Sequence, residues 1–132
     1  GVAKFMDNVR AQAKEDGFVQ TVFGRRLWLP EIKSPNGPRR AGAERAAINA
    51  PMQGTSADLI KMAMVELSAW LKAEQLNTKM IMQVHDELVV DAALSELDEV
   101  KALLVRCMER AVKLEVPLEV EVSHGQNWLE AH

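Results

Sequence analysis

An α+β fold, with helices packed on antiparallel strands, is what this sequence predicts. Two apolar stripes at helical spacing predict the major helices: Ile60, Ala63, Met64, Leu67 and Leu71, then Leu97, Val100, Leu104, Cys107 and Ala111. Two pairs of short β-prone runs joined by tight turns predict hairpins. With 132 residues, 48% of them hydrophobic and 27% charged, the chain is of single-domain size and can bury a core.

Taken in order, Val2 to Lys14 has helical character and stops at Gly17. Phe18–Phe23 reads as a strand, Gly24-Arg25-Arg26 as a turn, and Leu27–Leu29 as the return strand, closed by Pro30. Ser34-Pro35-Asn36-Gly37-Pro38 is the strongest loop signal and the candidate boundary between subregions. Arg39–Asn49 is an alanine-rich helix. Its Ala41, Ala43, Ala46 and Ala47 would let a backbone or a nucleic acid approach closely. Pro51 is expected to interrupt it, because the residue before proline is pushed out of the α region. Thr55, preceded by Gly54, is expected to cap a second helix with Asp58 in its first turn, Leu59 and Trp70 widening the stripe. Ser95 is expected to cap the third helix. Leu118–Val122 alternates apolar and acidic residues as a half-exposed strand would.

The net charge of −3 does not by itself indicate nucleic acid, but the distribution is uneven. Between Arg25 and Arg45 there are six basic residues and two acids; from Asp86 onward there are eleven acids and four basic residues. Such a split suggests a local anion-binding face, although a solvated surface is the default reading of either segment alone. Cys107 is the only cysteine, which excludes an intrachain disulfide, and its place on an apolar stripe makes it a core residue. No run is suited to spanning a membrane and no signal-peptide pattern is present. The chain starts at Gly1-Val2-Ala3 rather than at a methionine, so it is expected to be a piece of something longer.

The sharpest chemistry lies in Met80–Val90, where His85-Asp86-Glu87 separates two apolar runs. A hairpin would hold these residues at its tip, and carboxylates on a rigid support are hard oxygen ligands suited to Mg²⁺ and phosphate chemistry. On the triplet alone a solvated hairpin tip is the more common outcome. No further carboxylate stands out to complete a two-metal site: Asp7, Asp16 and Asp58 fall in helical or loop contexts. Arg45, Asn49 and Gln53 form a second group at four-residue spacing, which is one helix face if the break at Pro51 is mild. Their directed donors suit acceptors on phosphates or minor-groove edges, and a water-facing polar stripe fits the spacing as well. Arg25, Arg26, Arg39 and Arg40 are weaker candidates for phosphate contacts. There is no GxxxxGK[ST] loop and no CxxC pair.

Three segments together resemble family A DNA polymerases, in the same order: Gly24-Arg25-Arg26-Leu27-Trp28-Leu29-Pro30, Glu44 to Thr55, and Gln83-Val84-His85-Asp86-Glu87-Leu88-Val89. The likeness extends to Asn127-Trp128 and Ala131-His132. It implies the C-terminal part of a polymerase palm, with residues 1–35 from the fingers and 36–132 from the palm. Asp86 would be one of two aspartates holding catalytic Mg²⁺ ions, for which Mn²⁺ could substitute, with Glu87 an auxiliary carboxylate. Gln83 and His85 would share a face near the primer terminus. Arg45, Asn49 and Gln53 would contact the primer–template minor groove.

The implied parent reaction is DNA-directed, template-guided nucleotidyl transfer from a dNTP to a primer 3′-hydroxyl, in the bacterial cytoplasm. The implied partners are primer–template DNA, dNTP and the remainder of the polymerase domain. The family's first motif, with the other aspartate, and its nucleotide-gripping fingers helix have no match here, so the chain alone is expected to be inactive. Two other classes remain open: a non-catalytic DNA-binding or assembly module, and a metal-dependent phosphohydrolase using His85 and Asp86. A truncated palm would also leave Met80–Val84 with an apolar edge, which predicts self-association or a stabilising partner chain.

Overall fold

In the computed structural model, which describes residues 1–111 and 113–132, the chain begins with a helix, α1 (Val2–Asp16). Gly17 ends it as expected, at φ 77°, with its N–H donating to the Ala13 carbonyl at 2.9 Å. That left-handed cap favours glycine because a side chain there would be strained. A short hairpin follows, β1 (Phe18–Gln20) and β2 (Arg26–Trp28), antiparallel with Phe18 opposite Trp28 and Gln20 opposite Arg26.

The strands are shorter than the composition predicts. The strand assignment ends at Gln20, although Thr21 N–H still donates to the Arg25 carbonyl at 2.9 Å, and Gly24 at φ 84° closes a turn through its N–H to the Thr21 carbonyl. Val22 and Phe23 therefore lie in an exposed turn, whereas Arg26, expected in the turn, is in the strand. A 3-10 turn, Pro30–Lys33, then buries Ile32.

The largest departure from expectation is α2, one continuous helix from Gly37 to Ala73 with Pro51 inside it. Proline removes one backbone donor and crowds the carbonyl four residues earlier, here that of Ala47. The Thr55 hydroxyl, expected to cap a new helix, instead donates back to the Pro51 carbonyl. Burial of Ala43 and Ala47, with Ala46 and Ala50 packed beside them, holds the helix in place there. The small residues thus admit neighbouring protein: Val9 and Ala13 of α1, Val19, Leu29 and Ile32 complete that core.

By packing, the chain divides into two units, Gly1–Asp58 and Leu59–His132. In the second, the later turns of α2 bury Ile60, Ala63, Leu67 and Leu71. The helix ends in a Schellman arrangement: Leu76 N–H donates to Leu71 O, Gln75 N–H to Lys72 O, and Gln75 takes φ 50°. A second hairpin, β3 (Lys79–Val84) and β4 (Glu87–Asp91), leads through a 3-10 turn, Leu94–Glu96, to α3 (Leu97–Arg110).

Ser95 lies within that 3-10 turn and does not cap α3; Glu96 occupies the cap position. The Glu96 carboxylate is directed to the start of β3, accepting from Asn77 N–H at 2.9 Å, Thr78 N–H at 3.0 Å and the Thr78 hydroxyl at 2.8 Å. Val100, Leu103, Leu104 and Cys107 of α3 form the second core with Leu67 and Leu71. Burial pushes the Cys107 thiol pKa up, as befits a core residue.

Leu118–Val122 is not a strand. Its alternation is real, with Leu118, Val120 and Val122 half-buried and Glu119 and Glu121 exposed, and Val122 packs on the second core. It has no ladder among the described residues, and a strand needs a neighbouring backbone as well as a pattern. A last helical turn, α4 (Trp128–Ala131), follows.

Candidate functional site

The β3–β4 hairpin is closed by the pair Val84–Glu87, so His85 and Asp86 alone form a two-residue turn. Such turns need a positive φ at a central position, normally supplied by glycine or asparagine. Here His85 supplies it at φ 50°. A non-glycine residue in this conformation is mildly strained, and strain of this kind gathers at functional sites. Asp86 and Glu87 are both exposed, Asp86 in the turn and Glu87 as the first residue of β4.

A register shift between Met80 and Met82 places Ile81 outside the pairing. One extra residue reverses the face of everything beyond it. It puts Gln83 opposite Leu88 and leaves Met82 opposite Val89. Strand alternation does not join Gln83 to His85, because His85 is in the turn. A hydrogen bond does: the Gln83 amide nitrogen donates to the His85 carbonyl at 2.8 Å, bracing the strained residue.

Glu87 has a partner that the sequence did not single out. His132 Nε2 lies 3.1 and 3.3 Å from the two Glu87 carboxylate oxygens, and Nδ1 lies 3.0 Å from the Trp128 carbonyl. The Trp128 indole N–H also reaches Nε2, at 3.1 Å. One nitrogen cannot accept from the indole and donate to the carboxylate together. A carboxylate oxygen only accepts, so the Glu87 contact assigns the proton to Nε2; the Trp128 carbonyl, and secondarily Glu87, raise the His132 pKa. The signal for this helix was present in the sequence. Asn127 and Glu130 have capping-box spacing, and Trp128 and His132 are four apart.

In the first unit, Arg45, Asn49 and Gln53 are all exposed on α2. Because the helix continues through Pro51, they form one row about 12 Å long. Among the described residues their side chains make no hydrogen bond or ion pair. The four arginines expected at phosphates, Arg25, Arg26, Arg39 and Arg40, are engaged. Arg25 Nε donates to Asp58 at 2.7 Å and its Nη2 to the Gly54 carbonyl at 3.0 Å. Arg26 stacks 4.4 Å over Phe18, Arg39 lies 3.8 Å from Glu31, and Arg40 donates to the Ser34 carbonyl at 3.0 Å. Much of the basic segment is thus committed within the protein.

A family model, DNA polymerase family A, matches residues 1–130. The chain belongs to that family. It is 52% identical, over all 132 residues, to 14% of DNA polymerase I of Pseudomonas aeruginosa. It is 44% identical, over 99% of its length, to 15% of DNA polymerase I of Geobacillus stearothermophilus. A solved structure, the POL domain of Pol1 from M. smegmatis in complex with DNA primer-template and dNTP, superposes with a TM-score of 0.93 at 44% identity. That match covers 96% of this chain and 22% of the other. The chain therefore spans about one seventh of the curated relatives' length and corresponds to a segment of a polymerase domain.

Residues of this family A segment fit a divalent cation only in part. Asp86 and Glu87 offer adjacent, exposed carboxylate oxygens on a tight turn, which suits a hard cation. No group of three or more potential ligands occurs among the described residues. No helix among them is long and apolar enough to cross a membrane.

Proposed function

We propose that this chain is the primer-handling part of a DNA-directed DNA polymerase, acting in replication and repair synthesis in the bacterial cytoplasm. In this reading residues 1–35 belong to the fingers and 36–132 to the palm. The parent reaction joins a dNTP to a primer 3′-hydroxyl on a template and releases pyrophosphate. The observation that carries the reading is the two-residue turn bearing Asp86, within a chain whose solved relative holds DNA primer-template and dNTP.

Asp86 supplies an anionic oxygen at the turn, and Glu87 an auxiliary carboxylate beside it. Mg²⁺ held there, or Mn²⁺ in its place, would activate the attacking hydroxyl and neutralise charge on the leaving oxygens. Gln83 and His85 form the support next to the primer terminus, the amide of one bracing the backbone of the other. Arg45, Asn49 and Gln53 donate to minor-groove acceptors that differ little between base pairs, so the row tracks a duplex without reading its sequence. Arg25, Arg26, Arg39 and Arg40 have weaker roles at phosphates, each retaining part of its guanidinium surface.

The test is Asp86→Ala in the intact polymerase. Extension should be abolished while primer–template binding persists. Extension at near-normal rate would overturn the assignment.

A further inference from the structure

We propose that His132 is a positioning residue for the polymerase reaction: its Nε2 holds the Glu87 carboxylate in place beside Asp86. This rests on the reading of Asp86 and Glu87 given above.

His132 and Glu87 are 45 residues apart, yet both carboxylate oxygens come within 3.1–3.3 Å of one ring nitrogen. The imidazole is not a loose chain that happens to reach the turn. Its Nδ1 faces the Trp128 carbonyl at 3.0 Å, and its ring meets the indole edge-on, centroids 5.4 Å apart.

The short helix that presents it is itself tied down. The Asn127 side chain accepts from Glu130 N–H at 3.0 Å, and the Glu130 carboxylate accepts from Gln126 N–H at 3.0 Å. The Ser123 hydroxyl donates to the Ala131 carbonyl. Four residues form too short a helix to persist alone, so these bonds keep the His132 ring directed.

The chemical consequence concerns two neighbouring carboxylates. Asp86 and Glu87 are adjacent in sequence at the mouth of a tight turn, where their charges repel. An N–H donor on Glu87 draws off part of that charge and restricts its rotamer. Glu87 then has a set orientation before any ligand arrives, which is how a supporting residue sharpens a reactive one. Without His132, Glu87 would be free to swing away from its place beside Asp86.

The experiment uses the intact polymerase with His132→Ala, His132→Gln, Glu87→Gln and the double variant His132→Ala/Glu87→Gln. His132→Ala should lower the extension rate constant by about 10-fold, the equivalent of one charge-assisted hydrogen bond. Primer–template Kd and dNTP KM should stay unchanged. His132→Gln, which keeps an N–H donor, should recover most of the rate. The double variant should be no slower than the worse single one, since the two residues act as a unit.

A second readout needs no turnover. In polymerase free of metal and DNA, Glu87→Gln should shift the ring resonances of isotopically labelled His132. Wild-type rate in His132→Ala, additive losses in the double variant, failure of His132→Gln to rescue, or unmoved ring resonances would each overturn the proposal. Asp86→Ala in the same assay separates the two levels. If it still extends primers, the site assignment itself fails; if it is dead while His132→Ala is normal, only the positioning role fails.

Discussion

A β-carbon added at Gly54 would lie 2.7 Å from Thr21 Cγ2. Gly54 is therefore a contact point inside α2, where the β1–β2 turn rests on the helix. It is not the capping glycine that its place before Thr55 suggests. Thr21 cannot readily turn away, because its hydroxyl donates to Asp58 at 2.8 Å and accepts from Arg25 N–H at 3.2 Å.

Gly54→Ala should therefore destabilise the protein by about 1–3 kcal/mol, the usual range for overpacking. Thr21→Ser, which removes Cγ2 and keeps the hydroxyl, should relieve part of that loss in the double variant. Urea denaturation of the four proteins checks this. Alanine is favoured over glycine by about 1 kcal/mol inside a helix, so a gain of that size in Gly54→Ala would show that the hairpin yields at no cost.

Arg45 and Gln53 stand at the ends of an exposed row on an unbroken helix. Arg45→Ala or Gln53→Ala in the intact polymerase should weaken primer–template binding by about 10-fold, the scale of a hydrogen bond to a charged or well-placed acceptor. Stability should hardly change, since neither side chain is buried. Titration of a labelled duplex measures the first and thermal unfolding the second. Unchanged binding and mismatch discrimination would remove the minor-groove role.

Glu96 makes stability depend on pH. The Asn77 N–H, then the Thr78 hydroxyl, hold its pKa below the ordinary 4.5. A carboxyl whose folded pKa is depressed adds stability above its unfolded pKa, and that stability is lost as pH falls through the folded value. Glu96→Gln should thus be less stable than wild type at neutral pH. The two denaturation midpoints should converge in acid, below the ordinary carboxyl range. A constant gap at all pH values would assign the effect to packing instead.

Among the described residues β3 pairs with β4 alone, and Ile81 is 61% exposed at the bulge. An apolar edge of this kind recruits other strands. The 132-residue chain by itself should sediment as more than a monomer, and Ile81→Lys should shift it toward monomer. A monodisperse wild-type monomer would contradict this.

The Asp86 turn was legible in the sequence because a hairpin is a local decision. Two β-prone runs with a short polar gap can close in few ways. The helical stripes were legible for the same reason, since period 3.6 follows from backbone geometry. The break expected at Pro51 does not occur, because the local rule competes with burial of Ala47 and its neighbours and packing prevails. Residue type marks Ser95 and Thr55 as caps, but capping depends on where the helix begins, and neither residue stands at a helix start.

By itself, then, the sequence determined the order of the main helices, the hairpin that presents Asp86, the Arg45–Gln53 spacing and the family. Tertiary structure decided what those local units meet. It carried α2 through Pro51, joined Arg25 to Asp58, withheld a ladder from Leu118–Val122 and set His132 against Glu87. Each of these relations joins residues distant along the chain or depends on packing, and no local periodicity encodes which distant side chain will arrive.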